Sequence, residues 1–313
     1  MEDRYIQIQN LTKIFKKNIV LAGMNLDIPK GKIFGIIGEN GSGKTTLLNI
    51  LIGYYKPDSG LVLFESKDIF SDLSAVEQRF GFATQANAFY DKLSVIENLY
   101  YFGRLYNVSK VDLKKRAQEL LDFLELTPFK NKLGFQLSTG MQRRLDIACS
   151  LIHKPDVLIL DEPTEDLDPV LRKQTLNLIR KISKEEGTTV VITSHLLEEL
   201  QDLCDIVGIL HKGRIVKIGS PKELEEEYSK EKVVSFEFAS KDYANFLKKI
   251  KKGAKIGNID YIGNKVILTT KDGEKLLRII PEMARKSKEK LEYLSLDHPS
   301  LDLIFEKIVK EGR

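Results

Sequence analysis

Apolar and polar positions alternate through the first thirty residues. Tyr5-Ile6-Gln7-Ile8-Gln9, Val20-Leu21 and Met24-Asn25-Leu26-Asp27-Ile28 show this pattern, which predicts antiparallel strands with one buried face. Pro29-Lys30-Gly31 is a turn signal. The run Lys32-Ile33-Phe34-Gly35-Ile36-Ile37 then reads as a short apolar strand, and Thr46-Leu47-Leu48-Asn49-Ile50-Leu51 opens a helix. A turn over 55–60 leads to a strand over 61–64. From 94 to 127 the period becomes helical, with Val95, Leu99, Phe102 and Leu105, then Ala117, Leu120, Leu121 and Leu124, which predicts a helical insertion. Val157-Leu158-Ile159-Leu160 and Thr188–Thr193 are continuous apolar runs, as in strands buried on both faces. With a helix over 170–182 between them, they predict a strand–helix–strand unit of a parallel sheet.

A boundary falls near 220–230, where Gly219-Ser220-Pro221 is followed by a charged stretch. The first domain is therefore expected over 1–225, with a helical subdomain over about 86–155, and a small α+β domain over 231–313. The tail reads β-α-β-β-α-β-α. Its strands are 233–238, 256–261, 266–270 and 291–296, and its helices are 243–250, 276–283 and 299–309. The first six elements have the ferredoxin-like order.

The length of 313 residues suits two domains, and 42% hydrophobic content supports real cores. No run approaches the roughly 20 apolar residues that span a bilayer. The first residues, Met1-Glu2-Asp3-Arg4, do not open a signal peptide. A soluble, cytoplasmic chain is expected. Cys149 and Cys204 form no metal or redox spacing and read as small core residues. Residues 231–313 carry 18 Lys/Arg against 13 Asp/Glu, or +5, and the rest of the chain is −1, so the net charge of +4 comes from the tail. A solvated helix face explains such clusters better than contact with acidic lipid or nucleic acid.

Residues 38–45, Gly-Glu-Asn-Gly-Ser-Gly-Lys-Thr, fit the phosphate-loop pattern G-x-x-x-x-G-K-[ST] in the strand–loop–helix context it requires. Gly38, Gly41 and Gly43 let the backbone close on an anion. The N–H groups of Glu39, Asn40, Ser42 and their neighbours, with the helix N-terminus, then face it. Lys44 can reach the β- and γ-phosphates, the Thr45 hydroxyl can bind Mg²⁺, and Thr46 opens the helix. The strand 157–160 ends in Asp161-Glu162, at the carboxyl edge where an α/β sheet faces its ligand. Asp161 is placed for the Mg²⁺ shell and Glu162 for taking a proton from water.

Leu137-Ser138-Thr139-Gly140-Met141-Gln142, followed by Arg143-Arg144-Leu145, resembles the signature motif of the ABC-type ATPases, with Thr139 and Met141 departing from the commonest residues. Ser138 and the N–H of Gly140, at a helix start, make a second anion site. The resemblance implies an α/β fold of the P-loop NTPase (ABC ATPase) type with antiparallel β and helical subdomains. It implies ATP and Mg²⁺ as ligands, and a head-to-tail dimer, of two copies or of a copy and a paralogue, in which the signature of one closes on the ATP of the other. By the same resemblance Gln85 matches the Gln loop that touches the metal, and His195 the switch histidine at the γ-phosphate. Asp168, in Thr164-Glu165-Asp166-Leu167-Asp168, matches the loop that communicates across the dimer, and Phe15 the aromatic that stacks on adenine. The tail, down to Pro299-Ser300-Leu301-Asp302-Leu303-Ile304-Phe305, is similar to the extension of drug- and antibiotic-exporter ATPases. The implied partner is a transmembrane permease on a separate chain, at the cytoplasmic face of the membrane, with no nucleic acid. An importer ATPase with a regulatory tail and a soluble ABC ATPase of translation or DNA repair are the alternative classes.

Overall fold

The structure, a computed structural model, describes residues 4–84, 86–195, 197–228, 232–239, 243, 246–248, 250, 254–287 and 289–297. Gln85 and the expected terminal helix 299–309 lie outside the described residues. The chain forms two compact units, Met1–Pro221 and Lys222–Arg313.

The first unit holds two sheets. Strands β1 (Arg4–Phe15), β2 (Asn18–Pro29), β4 (Ser59–Phe64) and β5 (Lys67–Asp68) form an antiparallel sheet in the order β2-β1-β4-β5. The alternation seen in the sequence sets its register: Ile6 faces Ile28 and Ile8 faces Leu26. The second sheet has the order β10-β9-β3-β8-β7-β6. Its strands are β3 (Ile33–Ile37), β6 (Phe80–Ala83), β7 (Val157–Asp161), β8 (Thr189–Ser194), β9 (Ile206–His211) and β10 (Arg214–Gly219). All pair in parallel except β10, which runs antiparallel to β9. Every residue of β3, β7 and β8 is buried, which is why these strands read as unbroken apolar runs. Helix α1 (Lys44–Leu51) joins the two sheets in one core, in which Leu47, Leu48 and Ile50 meet Ile6, Ile8, Ile36 and Ile159.

One side chain ties the antiparallel sheet to the parallel one. Arg79 ends α2 (Leu73–Arg79), lies 4.3 Å over the Phe64 ring, and bonds Glu65 at 2.6 Å and Asp156 at 2.5 Å. Burial and the Asp156 charge, against the opposing pull of Arg79, push the Tyr5 phenol beside it up to about 12. The carboxylates are partly exposed, so no single pair is worth more than a fraction of a kcal/mol. The network and the stacked guanidinium act together, and Arg79→Ala is expected to cost about 2 kcal/mol in urea unfolding. Arg79→Lys should recover little of it, because an ammonium cannot stack and fork at once.

The helical region holds α3 (Val95–Leu105), α4 (Lys110–Phe123) and α5 (Thr139–Leu151). Ser94 and Glu97 form a capping box at α3, and Ser109 caps α4 through the Asp112 N–H, so both starts are fixed locally. Helix α6 (Pro169–Glu186) is capped by Asp168, has Pro169 at its first position and stops at Gly187. Helix α7 (Leu197–Gln201) follows β8.

In the second unit α8 (Pro221–Tyr228) leads into β11 (Lys232–Phe238), β12 (Ile256–Ile262), β13 (Lys265–Thr270), α9 (Gly273–Lys286) and β14 (Leu291–Asp297). The sheet order is β12-β13-β11-β14, and the pairs are antiparallel. This is the strand order of a ferredoxin-like split βαβ. Residues 246–248 are helical between β11 and β12. Phe236, Phe238, Phe246, Leu268, Leu276 and Ile280 form this unit's own core.

Candidate functional site

Parallel register brings the site together. Ile37, the last residue of β3, pairs with Ser194, the last of β8, and Asp161, the last of β7, pairs with Thr193. The phosphate loop, the acidic pair and His195 therefore leave the sheet at one edge, although the sequence separates them by more than 150 residues.

The loop after β3 is built around tight approaches. At Gly38 a Cβ would lie 2.5 Å from Ser42 Oγ and 2.6 Å from the Leu210 carbonyl. Gly43 has φ +111°, and a Cβ there would press on Leu21 Cδ2 at 2.8 Å. Helix α1 starts with no side-chain cap and no acidic residue in its own first turn, so its positive dipole end is not neutralised from within the helix. Ser42 Oγ is buried and has no hydrogen-bond partner among the described residues. Lys44 is 5% exposed, and its Nζ donates to the Gly38 carbonyl at 2.7 Å and lies 3.1 Å from Glu162 Oε1. Asn40, Gly41, Gly43, Lys44, Thr45, Thr46, Glu162 and Glu165 line a cavity of about 490 Å³, with Asn18 and Val20 of β2 as its wall. A glycine-rich loop, a lysine and an uncapped helix start fit a phosphate chain.

Glu162 is the centre of the charge pattern. Its backbone is left-handed, φ 46°, and its N–H donates to Thr193 Oγ1 at 3.0 Å. The same Thr193 hydroxyl donates to Asp161 Oδ1 at 2.6 Å. Glu162 Oε2 meets His195 Nδ1 at 2.7 Å. Burial pushes the Glu162 carboxyl up, but the His195 and Lys44 contacts outweigh it and hold the group below the usual carboxylate range. Glu165 is moved the other way, by burial and by the neighbouring Glu162 charge. The hydroxyl of Thr45 and the buried carboxylate of Asp161 are hard oxygen donors of the kind Mg²⁺ takes, so the residues present fit that ion.

The other sequence candidates occupy different places. Phe15 ends β1, is partly exposed, and meets Tyr55 edge-on at 5.2 Å. Ser138 caps α5 by accepting from the Met141 N–H at 3.4 Å and is exposed; Gly140 is buried in the first turn. Neither Ser138 nor Gly140 lines the cavity around Lys44. The Asp168 carboxylate accepts from the N–H groups of Val170 and Leu171, at 2.9 and 3.0 Å.

Sequence reasoning missed Thr193, Glu165 and the pair Arg143–Asp146. Thr193 carried a signal, a hydroxyl closing an apolar run just before His195. Arg143 Nη1 donates to the Thr84 carbonyl at 2.8 Å, and Asp146 Oδ1 accepts from the Ala88 N–H at 2.7 Å. Helix α5 thus holds Thr84 and Ala88 by side chains one turn apart. Burial pushes Asp146 up to about 6, against the Ala88 bond and the Arg143 charge. A raised acid binds its proton more tightly in the folded state, so its contribution to stability falls as pH rises from 3.8 to about 6 and is flat above. Wild type should lose about 2–3 kcal/mol relative to Asp146→Asn across that window, measured by urea unfolding at pH 4 to 7. Parallel pH curves for the two proteins would refute this.

A larger groove, about 900 Å³, runs past Arg4, Gln7, Asn25 and Ile218. It contains no residue of the phosphate loop, so volume does not choose the site; chemistry does. Burial also pushes both cysteine thiols well up, leaving them as core residues.

The family profile described as ABC transporter matches residues 21–165. The linearmycin resistance ATP-binding protein LnrL of Bacillus subtilis is 30% identical over 302 residues, 96% of either chain. The chain belongs to the ABC transporter ATP-binding family. This ABC ATPase is also 37% identical over 227 residues, 72% of either chain, to the daunorubicin resistance ATP-binding protein DrrA3 of Streptomyces coeruleorubidus. Among solved structures it resembles cbiO1 of Clostridium perfringens, part of the ABC transporter complex cbiONQ. The TM-score is 0.68 and the identity 31%, covering 72% of this chain and 92% of that one. The protein is thus an ATP-hydrolysing, ATP-binding subunit of an ABC transporter. No helix among the described residues is long and apolar enough to cross a membrane.

Proposed function

We propose that this ABC ATPase works as a head-to-tail dimer, with a second copy or a paralogue, and drives export of an antibiotic or similar compound through a permease on another chain. The observation that supports the dimer is where the start of α5 lies. The start of α5 is exposed at Ser138 and Thr139, has no acidic residue in its first turn, and lies outside the cavity that Lys44 lines. One copy supplies half of an ATP site, and the α5 start of another completes it.

In this reading Lys44 and the loop N–H groups hold the β- and γ-phosphates, and Phe15 lies against the adenine. Thr45, Asp161 and Gln85 would hold Mg²⁺, which supplies positive charge at the phosphate oxygens. Glu162, ionised at neutral pH, takes a proton from the attacking water as its oxygen bonds the γ-phosphorus and the bond to ADP breaks. His195 holds the γ-phosphate and orients Glu162 through the 2.7 Å contact. Asp168 sets the start of α6, from which the loop 164–168 would reach the other copy.

Export is favoured by coverage. The match to LnrL runs through both units, whereas the match to cbiO1 spans 72% of the chain. The permease-facing surface in this reading is the aromatic patch of the helical region. There Tyr90 and Tyr101 lie ring to ring at 4.7 Å, beside a groove of about 490 Å³ lined by Leu93, Tyr100, Tyr101 and Leu105. The chain would then sit on the cytoplasmic face of the membrane. The test is to purify the Glu162→Gln variant from its own membranes in mild detergent with ATP. Recovery of a polytopic membrane chain supports the reading. Recovery of ribosomes, DNA or the chain alone would sink it.

A further inference from the structure

Glu199 is a buried carboxylate that the mechanism above does not use. It stands on α7, 8% exposed, and three other segments converge on it. The hydroxyl of Thr164, from the loop after Glu162, donates to Oε2. The hydroxyl of Ser194, the residue before His195, donates to the same oxygen at 3.4 Å. Arg172, in the first turn of α6, brings Nε to 2.8 Å from Oε1. Among the described residues neither of those two atoms has an aligned hydrogen-bond partner, so this last contact is one of charge rather than direction. The Arg172 Nη2 also donates to the Leu167 carbonyl at 3.3 Å.

These contacts form the back of a small cavity, about 310 Å³, whose front is Glu162, Glu165 and His195. The loop they hold is a strained one. Glu162 and Asp166 are both left-handed without being glycine, at φ 46° and 59°, and such residues persist only where the surroundings fix them. On the sheet side Thr193 fixes Glu162 through its N–H. On the opposite side Thr164 and Ser194, both 3% exposed, meet in one carboxylate. His195 itself is more open, its Nδ1 lies 2.7 Å from Glu162 Oε2, and its backbone follows directly on Ser194.

We propose that Glu199 is a positioning residue, which locks the loop 162–168 to the backbone before His195 and so sets the reach of His195 to Glu162. The proposal rests on the roles given above to Glu162 and His195. It predicts a loss in turnover without a loss in ATP binding. Misplacing a reacting group by about an ångström costs on the order of 100-fold in rate, and the contacts of Glu199 among the described residues, to Thr164, Ser194 and Arg172, lie outside the phosphate loop.

The test uses the full chain, with steady-state hydrolysis, fluorescent-nucleotide binding and thermal unfolding measured side by side. Glu199→Ala should lower kcat by about 10- to 100-fold with ATP affinity and KM within about twofold of wild type. Glu199→Gln keeps an acceptor for Thr164 and Ser194 and should recover kcat to within about threefold. In a Glu162→Gln background, Glu199→Ala should lower the residual rate no further, because there is no base left to position. If Glu199→Ala does not fold, Thr164→Val removes one donor at constant shape and should still lower kcat several-fold at unchanged affinity.

Unchanged kcat in Glu199→Ala, or in Thr164→Val where the first is unfolded, overturns the proposal. So does a parallel fall of kcat, affinity and thermal midpoint in both Glu199 variants, the mark of a purely structural ion pair. If instead Glu162→Gln and His195→Ala keep wild-type turnover, it is the underlying assignment that fails, and this is read from those two variants alone.

Discussion

Replacing Glu162 by Gln is expected to lower steady-state ATP hydrolysis by about 10²–10⁴-fold and to leave ATP binding intact or tighter. The geometry gives both halves of this result. The carboxylate is within 2.7 Å of His195 and 3.1 Å of Lys44, and their joint pull keeps it ionised at neutral pH, as a base requires. The same 3.1 Å contact makes Glu162 a competitor of phosphate for the Lys44 ammonium. A glutamine keeps the shape and gives up the charge, so the competitor is removed along with the base. Hydrolysis is read by phosphate release, binding by a fluorescent nucleotide, and association by size-exclusion chromatography with ATP. Turnover within tenfold of wild type would remove Glu162 from the role of base. The sign of the pH effect follows from the lowered carboxyl. The free enzyme's kcat/KM should hold as pH falls to 4.5 and decline only below it, as the proton returns to Glu162.

The chain's architecture was legible where local pattern and burial coincide. Strands β3, β7 and β8 are buried on both faces and so appear as unbroken apolar runs; β1 and β2 are buried on one face and so alternate. In the tail, β11 and β13 bury one face and alternate for the same reason. Short elements such as α2, β6 and β10 were not, because four to seven residues carry too little periodicity to stand out from a loop. The site was legible as types of residue at strand ends. Its wiring was not. Thr193 bridging Asp161 and Glu162, Arg143 reaching Thr84, and Glu199 gathering Thr164 and Ser194 all depend on strand register and helix placement. No local sequence rule states that a threonine 32 residues away will hold an aspartate.

Lys44→Met should weaken ATP binding by roughly 30- to 150-fold, the loss of about 2–3 kcal/mol from one charged hydrogen-bond donor. It should also destabilise the protein itself, which a residue serving the ligand alone would not do. The side chains of Lys44 and Glu162 are 5% and 12% exposed, so methionine leaves a largely buried carboxylate with the His195 ring as its remaining contact. Breaking a buried pair from one side costs about 3 kcal/mol, because the stranded charge keeps its desolvation penalty. Neutralising the stranded partner removes most of that penalty. The double variant Lys44→Met/Glu162→Gln should therefore be more stable than Lys44→Met alone, with a coupling energy of about 2 kcal/mol in urea unfolding. Strict additivity, within about 0.5 kcal/mol, would mean that water or the Gly38 and Glu39 carbonyls, not Glu162, hold the ammonium in solution. A positive coupling would instead show that Lys44 and Glu162 hold each other in the ligand-free protein. The energy that holds Lys44 and Glu162 together is then the energy a phosphate must exceed to part them, and parting them frees the base.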